Sequence, residues 1–264
     1  MKKQDEFFVP YINGSLGSKT KKAIRRFVWT ILFAIIVIAG VFAFTQKPFK
    51  NGSFELTSET RLTGVFHENP YPMLRVKVAD DSYKNILLLG FGKSSVNPYL
   101  AVIRKDFETL AGKELAIEGN LIYYNGKTLV QITSEEKIKV MGNSDPNILP
   151  KKEKVGKVTL TGEIIDPKCY FGVMKPGYGK IHRSCAVRCI SGGIPPVLAA
   201  TDSNHNLHYY LITDMVGGAI HDRILPYVGK PAEITGIVET YEDWRFLRIN
   251  IEDIRETGEA SLIY

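Results

Sequence analysis

A 23-residue stretch of this chain occurs twice. Leu110 to Ile132 aligns without gaps on Tyr227 to Ile249, at an offset of 117 residues. Six positions coincide: Gly112/Gly229, Lys113/Lys230, Ile117/Ile234, Gly119/Gly236, Tyr124/Tyr241 and Ile132/Ile249. Upstream, Leu62-Thr63-Gly64 matches Leu160-Thr161-Gly162. Self-similarity at a fixed spacing means one structural unit built twice. The chain is therefore restricted to folds in which a unit of this size can stand beside its own copy.

Each unit reads as strands. Leu115–Tyr124 and Ala232–Tyr241 begin with alternating apolar positions, the period of a half-buried strand. Asn125-Gly126 is a two-residue hairpin signal, with Glu242-Asp243 in its place in the second copy. Further strands are expected at Arg61–Phe66, Leu74–Ala79, Asn85–Leu89, Val158–Ile165, Val197–Ala200 and His208–Ile212. Short helical turns are expected near Val102–Leu110 and Ala219–Tyr227. The fold class is thus mainly β. Five short strands with a helix before the fourth resemble an OB-fold, a small Greek-key barrel, so two tandem OB-like barrels are expected. An SH3-like barrel or a small sandwich leaves a similar trace.

The copies differ in one respect. From Gly64 to Gly119 is 55 residues, and from Gly162 to Gly236 is 74. The extra 19 fall in a Cys/His-containing stretch, 166–196, between the first two strands of the second copy. Such barrels use that connection for ligands. The expected organisation is 60–141 for the first OB-like domain and 155–258 for the second, with 142–154 as a linker and 259–264 as a tail.

Phe27 to Gln46 contains 20 consecutive residues without a charge. As a helix this run is about 30 Å long, enough to cross the hydrocarbon core of a bilayer. A transmembrane helix over 27–46 is expected, with 47–59 linking it to the first barrel. Lys19, Lys21, Lys22, Arg25 and Arg26 crowd its N-terminal side. The positive-inside rule then holds 1–26 in the cytoplasm and exports the rest. The run is longer than the apolar region of a usual cleaved signal peptide. Seven Lys/Arg against two acids before Lys47 account for +5 of the overall +6. The exported part carries only +1, which argues against a nucleic-acid partner.

All three cysteines lie within 21 residues, at Cys169, Cys185 and Cys189, with His182 among them. The spacing predicts a helix over Lys180–Ser191, stopped by Gly192-Gly193. His182, Cys185 and Cys189 then share one face at i, i+3 and i+7, and Cys169 arrives from the preceding loop. Three sulfurs and an imidazole are a Cys3His set suited to tetrahedral zinc, with copper or iron as the other metals. Met174 would favour copper(I) as an added thioether. In an oxidising compartment the alternatives are a disulfide from Cys169 to Cys185 or Cys189, which staples the loop, and a redox-active thiol. Lys168, Lys175, Lys180, Arg183 and Arg188 occur in the same stretch with no acid between Pro167 and Ile190. That basic set is expected to lower thiol pKa values and to attract an anionic ligand. His205, His208 and His221 are spare imidazoles in the second copy, and His67-Glu68 stands alone in the first. No catalytic residue is assigned.

Lys168-Cys-Tyr-Phe-Gly-Val-Met174, His182-Arg-Ser-Cys-Ala-Val-Arg-Cys189 and Gly192-Gly-Ile-Pro-Pro196 together resemble a segment recurring in uncharacterised exported or membrane-anchored bacterial proteins with small OB-like domains. The resemblance covers residues 155–258. It implies the fold and an extracytoplasmic address at the bacterial inner membrane, and carries no chemistry. The expected protein is an anchored accessory whose second barrel binds a metal or redox partner, serving a membrane-bound respiratory or cofactor-assembly complex.

Overall fold

The computed structural model describes residues 17–46, 52–144, 152–172, 174–202, 204 and 206–258. Most of the N-terminal segment, 47–51 and 145–151 of the expected linkers, the tail and His205 lie outside the described residues. The chain divides into two compact units, Met1–Phe49 and Lys50–Tyr264.

In the first unit, α1 (Ser18–Thr45) is a continuous helix of 28 residues with none buried. It is long and apolar enough to serve as a membrane anchor or a signal sequence. Its Thr30 and Thr45 hydroxyls are satisfied internally, donating back to the carbonyls of Arg26 at 3.0 Å and Val41 at 2.8 Å.

The second unit is mainly β. Its first half contains β1 (Ser53–Phe54), β2 (Thr60–His67), β3 (Met73–Ala79), β4 (Ser82–Leu89), α2 (Asn97–Ile103), β5 (Lys113–Tyr124), β6 (Lys127–Gln131) and β7 (Ile138–Asn143). Pairing runs β5-β2-β3-β4-β6 and returns to β5, which closes a five-stranded barrel. All contacts round the ring are antiparallel except β4 with β6. The second half contains β8 (Lys152–Ile165), α3 (Pro167–Phe171), α4 (Gly179–Ser191), β9 (Val197–Thr201), β10 (Leu207–Asp214), α5 (His221–Ile224), β11 (Pro231–Tyr241), β12 (Trp244–Ile249) and β13 (Ile254–Glu256). The ring β11-β8-β9-β10-β12 closes in the same order, again with one parallel pair, β10 with β12. A sixth strand repeats too, Ile138 pairing Ile117 and Ile254 pairing Ile234.

The repeated residues have repeated jobs. Gly112 and Gly229 turn the chain into β5 and β11 with φ of 78° and 68°, left-handed backbone that a side chain resists. A Cβ on Gly119 or on Gly236 would stand 2.4 Å from the carbonyl oxygen of Gln131 or of Arg248, so neither strand tolerates a side chain there. The hairpins turn at Asn125-Gly126 and Glu242-Asp243, with positive φ at Asn125, Gly126 and Glu242.

Some expected boundaries move. The helical turn expected near Val102–Leu110 is present at Arg104–Asp106, and α2 leads into it from an earlier start because Pro98 sets its first turn. The linker expected over 142–154 is strand at both described ends, β7 running to Asn143 and β8 starting at Lys152. Ser53-Phe54, expected as linker, pairs with β5.

Three cores hold this unit together. One fills the first barrel, with Phe66, Leu74, Ile86 and Leu88. A second fills the other, with Ile164, Leu198, Ile212 and Leu247. A third draws on both halves: Tyr71, Met73, Leu87 and Leu89 join Phe171, Leu211, Trp244 and Phe246. Ile86 to Leu89 therefore alternate between two cores, which is why β4 ends in an unbroken apolar run. Polar contacts cross the same seam. The Trp244 indole donates to the Asn85 carbonyl at 2.7 Å, and Arg75 pairs with Glu242.

Candidate metal centre

The cysteines sit on two helices whose ends are fixed by sequence. Pro167 opens α3, and Asp166 caps it by accepting the backbone N–H of Lys168 at 2.9 Å and of Cys169 at 3.5 Å. Helix α4 begins at Gly179, whose N–H donates to the Glu163 carboxylate. It ends as Gly192, Gly193 and Ile194 donate to the carbonyls of Arg188, Ile190 and Cys189, Gly193 taking a φ of 92°. The two helices lie between β8 and β9, and α4 spans the range expected for it.

Two triads of donor atoms result. The sulfurs of Cys169, Cys185 and Cys189 all lie within 4.8 Å of one another, as do donors from Asp166, Cys169 and His182. Cys169 belongs to both. Ideal tetrahedral zinc thiolates hold their sulfurs about 3.8 Å apart, given Zn–S bonds of about 2.3 Å, so a small contraction brings the cluster to coordination distance. All three cysteines are free thiols, Cys189 buried and the others half-buried. Asp166 Oδ2 and His182 Nε2 are buried and make no hydrogen bond. Asp166 is 0% and His182 3% exposed, so two potential ligand atoms are shut away from water without a partner, a costly state that a bound cation relieves.

The electrostatics favour the neutral forms of Cys169 and His182. A hydrogen bond with Cys189, then burial and the Asp166 carboxylate, push the Cys169 thiol up. This overturns the expectation that nearby bases lower it. Burial pulls His182 down against Asp166. Burial also brings the Lys168 ammonium down to about 8, although its Nζ donates to the carbonyls of Gly90 and Gly92, at 2.7 Å each.

The five basic residues are put to different uses. Lys168 ties α3 to the first barrel. Lys175 donates to the Tyr170 carbonyl at 2.9 Å and lies 5.3 Å from the Tyr124 ring centroid. Arg183 reaches the Pro226 carbonyl at 3.4 Å, while Lys180 and Arg188 are exposed. Lys168 and Lys175 are thereby turned to backbone carbonyls rather than to an outside anion. Met174 is exposed. His208 bonds Asp202 at 3.0 Å and His221 lies edge-on to Tyr71.

Asp166 is the donor that the cysteine spacing does not reveal. Its signal in the sequence is Asp-Pro three residues before Cys169, an N-cap placing a carboxylate beside that cysteine. No protein-family model matches the chain, and no curated protein is significantly similar to it.

Proposed function

We propose that this is a membrane-anchored extracytoplasmic accessory protein whose second barrel holds a zinc ion through Cys169, Cys185, Cys189 and His182. The observation that carries the reading is the pair of overlapping triads, with buried, unpartnered atoms on Asp166 and His182. Soft thiolates with an imidazole suit zinc, and copper(I) or iron are the other metals such a set accepts. Asp166 is assigned as the outer partner that orients the His182 ring, an arrangement common around metal-bound histidine. A filled four-ligand site is structural or a metal store, and a redox partner is the alternative occupant of the same cluster.

The same reading takes the two barrels as tandem OB-like domains, each closing in the order first-second-third-fifth-fourth strand. It takes α3 and α4 as an insertion between strands one and two of the second copy. Helix α1 is taken as an uncleaved inner-membrane anchor with the basic segment inside, and a respiratory or cofactor-assembly complex as the membrane partner. No nucleic-acid role is assigned.

Metal analysis and thiol counting on full-length protein purified without reductant test the centre. One zinc per chain with three thiols released by chelation supports it. One disulfide and no metal replaces it with a stapled interaction module. A periplasmically active C-terminal alkaline phosphatase fusion supports the topology, and an inactive one overturns it.

A further inference from the structure

The seam between the barrels contains a cavity of about 360 Å³ that shares no side chain with the cysteine cluster. His67, Asn69 and Met73 of the first barrel face Lys152, Tyr241 and Phe246 of the second. A smaller cavity of about 130 Å³ adjoins it through Asn69, Lys152, Tyr241 and Phe246, and extends to Thr213. The larger volume falls within the range of small-molecule sites, which are apolar clefts with a few placed polar groups.

The walls have that composition. The Tyr241 and Phe246 rings lie with centroids 4.4 Å apart and form an aromatic wall, with Met73 also apolar. Two polar atoms on the walls are buried without a hydrogen-bond partner, His67 Nε2 and Thr213 Oγ1. Thr213 is 1% exposed. Native interiors rarely leave such atoms unmatched, and a bound ligand is one way to match them. Asn85, also on the wall, has its amide committed to Tyr241, Glu242 and Asp243.

Charge narrows the ligand further. Arg75 pairs with Glu242, and Arg248 pairs with Glu239 at 2.9 Å, so these two flanking pairs cancel. Lys152 Nζ lies 4.7 Å from the Tyr241 ring centroid, and no carboxylate pairs with it among the described residues. Burial lowers the His67 pKa, leaving a neutral imidazole near neutral pH. The net charge facing the cavity is positive.

We infer that this seam is a binding site for a small planar aromatic molecule bearing a carboxylate. The ring lies against Tyr241 and Phe246, the carboxylate meets Lys152, and substituents on the ring reach His67 Nε2 and Thr213 Oγ1. The site joins both halves of the unit, so neither barrel alone would bind.

Three matched probes test this by ¹⁹F NMR on the full chain in detergent: 4-fluorobenzoate, neutral 4-fluorobenzamide and cationic 4-fluorobenzylamine. Saturable binding is expected for the benzoate, weaker binding for the benzamide and none for the benzylamine. Lys152→Met should weaken the benzoate at least about tenfold, the loss expected for one hydrogen bond to a charged group. Asn69→Trp, placed at the shared rim, should block it. Circular dichroism confirms that both variants fold, and their metal content reads the cysteine centre separately. Absence of saturable benzoate binding at millimolar concentration overturns the inference. So does equal binding of the benzylamine, or benzoate affinity unchanged in both variants.

Discussion

A carboxylate oxygen of Asp166 lies within 4.8 Å of a ring nitrogen of His182, while the same carboxylate caps α3 through Oδ1. The two roles separate by substitution. Asparagine caps a helix about as well as aspartate, so Asp166→Asn should change the stability of metal-free protein by less than about 0.5 kcal/mol, whereas Asp166→Ala should cost about 1 kcal/mol. Both should weaken zinc binding by about 10- to 100-fold, the usual effect of removing an outer partner of a metal-bound histidine. Denaturation of metal-free protein and chelator competition give the two readings. Unchanged affinity in Asp166→Asn removes that carboxylate from the centre.

Zinc uptake should be steeply pH-dependent. The Cys169 thiol is pushed up by Cys189, burial and Asp166, so it is protonated near neutral pH and must lose that proton to become a ligand. Affinity should fall about tenfold per pH unit for each proton released as pH is lowered. Calorimetry in buffers of different ionisation enthalpy counts the protons. Cys169→Ser should abolish tight binding, since Cys169 belongs to both triads.

Much of this arrangement is written in the sequence, and the part that is not has a physical reason. The i, i+3, i+7 spacing of His182, Cys185 and Cys189 places them on one helix face, and Gly192-Gly193 marks where that helix stops. Gly112 and Gly229, 117 residues apart, are legible as turn positions, and each takes a positive φ where a long strand begins. The seam is different. Which faces of β4 and β10 meet depends on how two closed barrels dock, a long-range matter. Only the unbroken runs Ile86–Leu89 and Tyr209–Ile212 hint that those strands are covered on both sides. The uses of Lys168 and Lys175 were equally hidden, since their carbonyl partners come from a distant loop and from the local turn.

Gly192→Ala should reverse a familiar sign. At a φ of −76° alanine is unstrained, and such a change ordinarily stabilises by restricting the unfolded chain. Here the new Cβ would stand 1.9 Å from the Lys93 carbonyl oxygen, beside the Ser95 N–H that donates to the Gly192 carbonyl at 2.9 Å. The loop from Gly90 to Ser95 must move away from α4. A loss of about 1–3 kcal/mol is expected from overpacking, with faster proteolysis within that loop. A neutral or stabilising result would show that α4 and the loop do not touch in solution.

Stability should decline as pH falls below about 6.5, the value for an unfolded histidine. Burial lowers the pKa of His67, of His182 and of His221 in the folded protein. Above about pH 6.5 both states hold neutral imidazole and the full stability is present. Below it the unfolded chain takes up protons first, so folding free energy is lost until the depressed folded values are reached. Urea titrations between about pH 7.5 and 5.5 should show this slope. The double variant His67→Asn, His221→Asn should reduce it and leave the share that His182 carries, and an unchanged slope would place the acid sensitivity elsewhere.

The two barrels should unfold in one step, with Asn85 as a principal tie. Its backbone N–H and side-chain amide reach Asp243 Oδ1 at 2.9 and 3.0 Å, and the amide also reaches Glu242 Oε2 at 3.0 Å. Burial raises the Asp243 pKa against these bonds. Asn85→Ala keeps the backbone bonds and leaves the carboxylates short of a donor, a loss of about 2–3 kcal/mol. Asp243→Asn in that background should recover part of it by removing the buried charge, and a double-mutant cycle gives the coupling. Trp244 is fully buried at the seam, and Trp29 is the only other tryptophan. A Trp29→Phe background therefore makes fluorescence a local reading of the seam. Its transition should coincide with the loss of far-UV circular dichroism from both barrels. Two separated transitions, or a coupling near zero, would make the seam a contact between independently stable barrels.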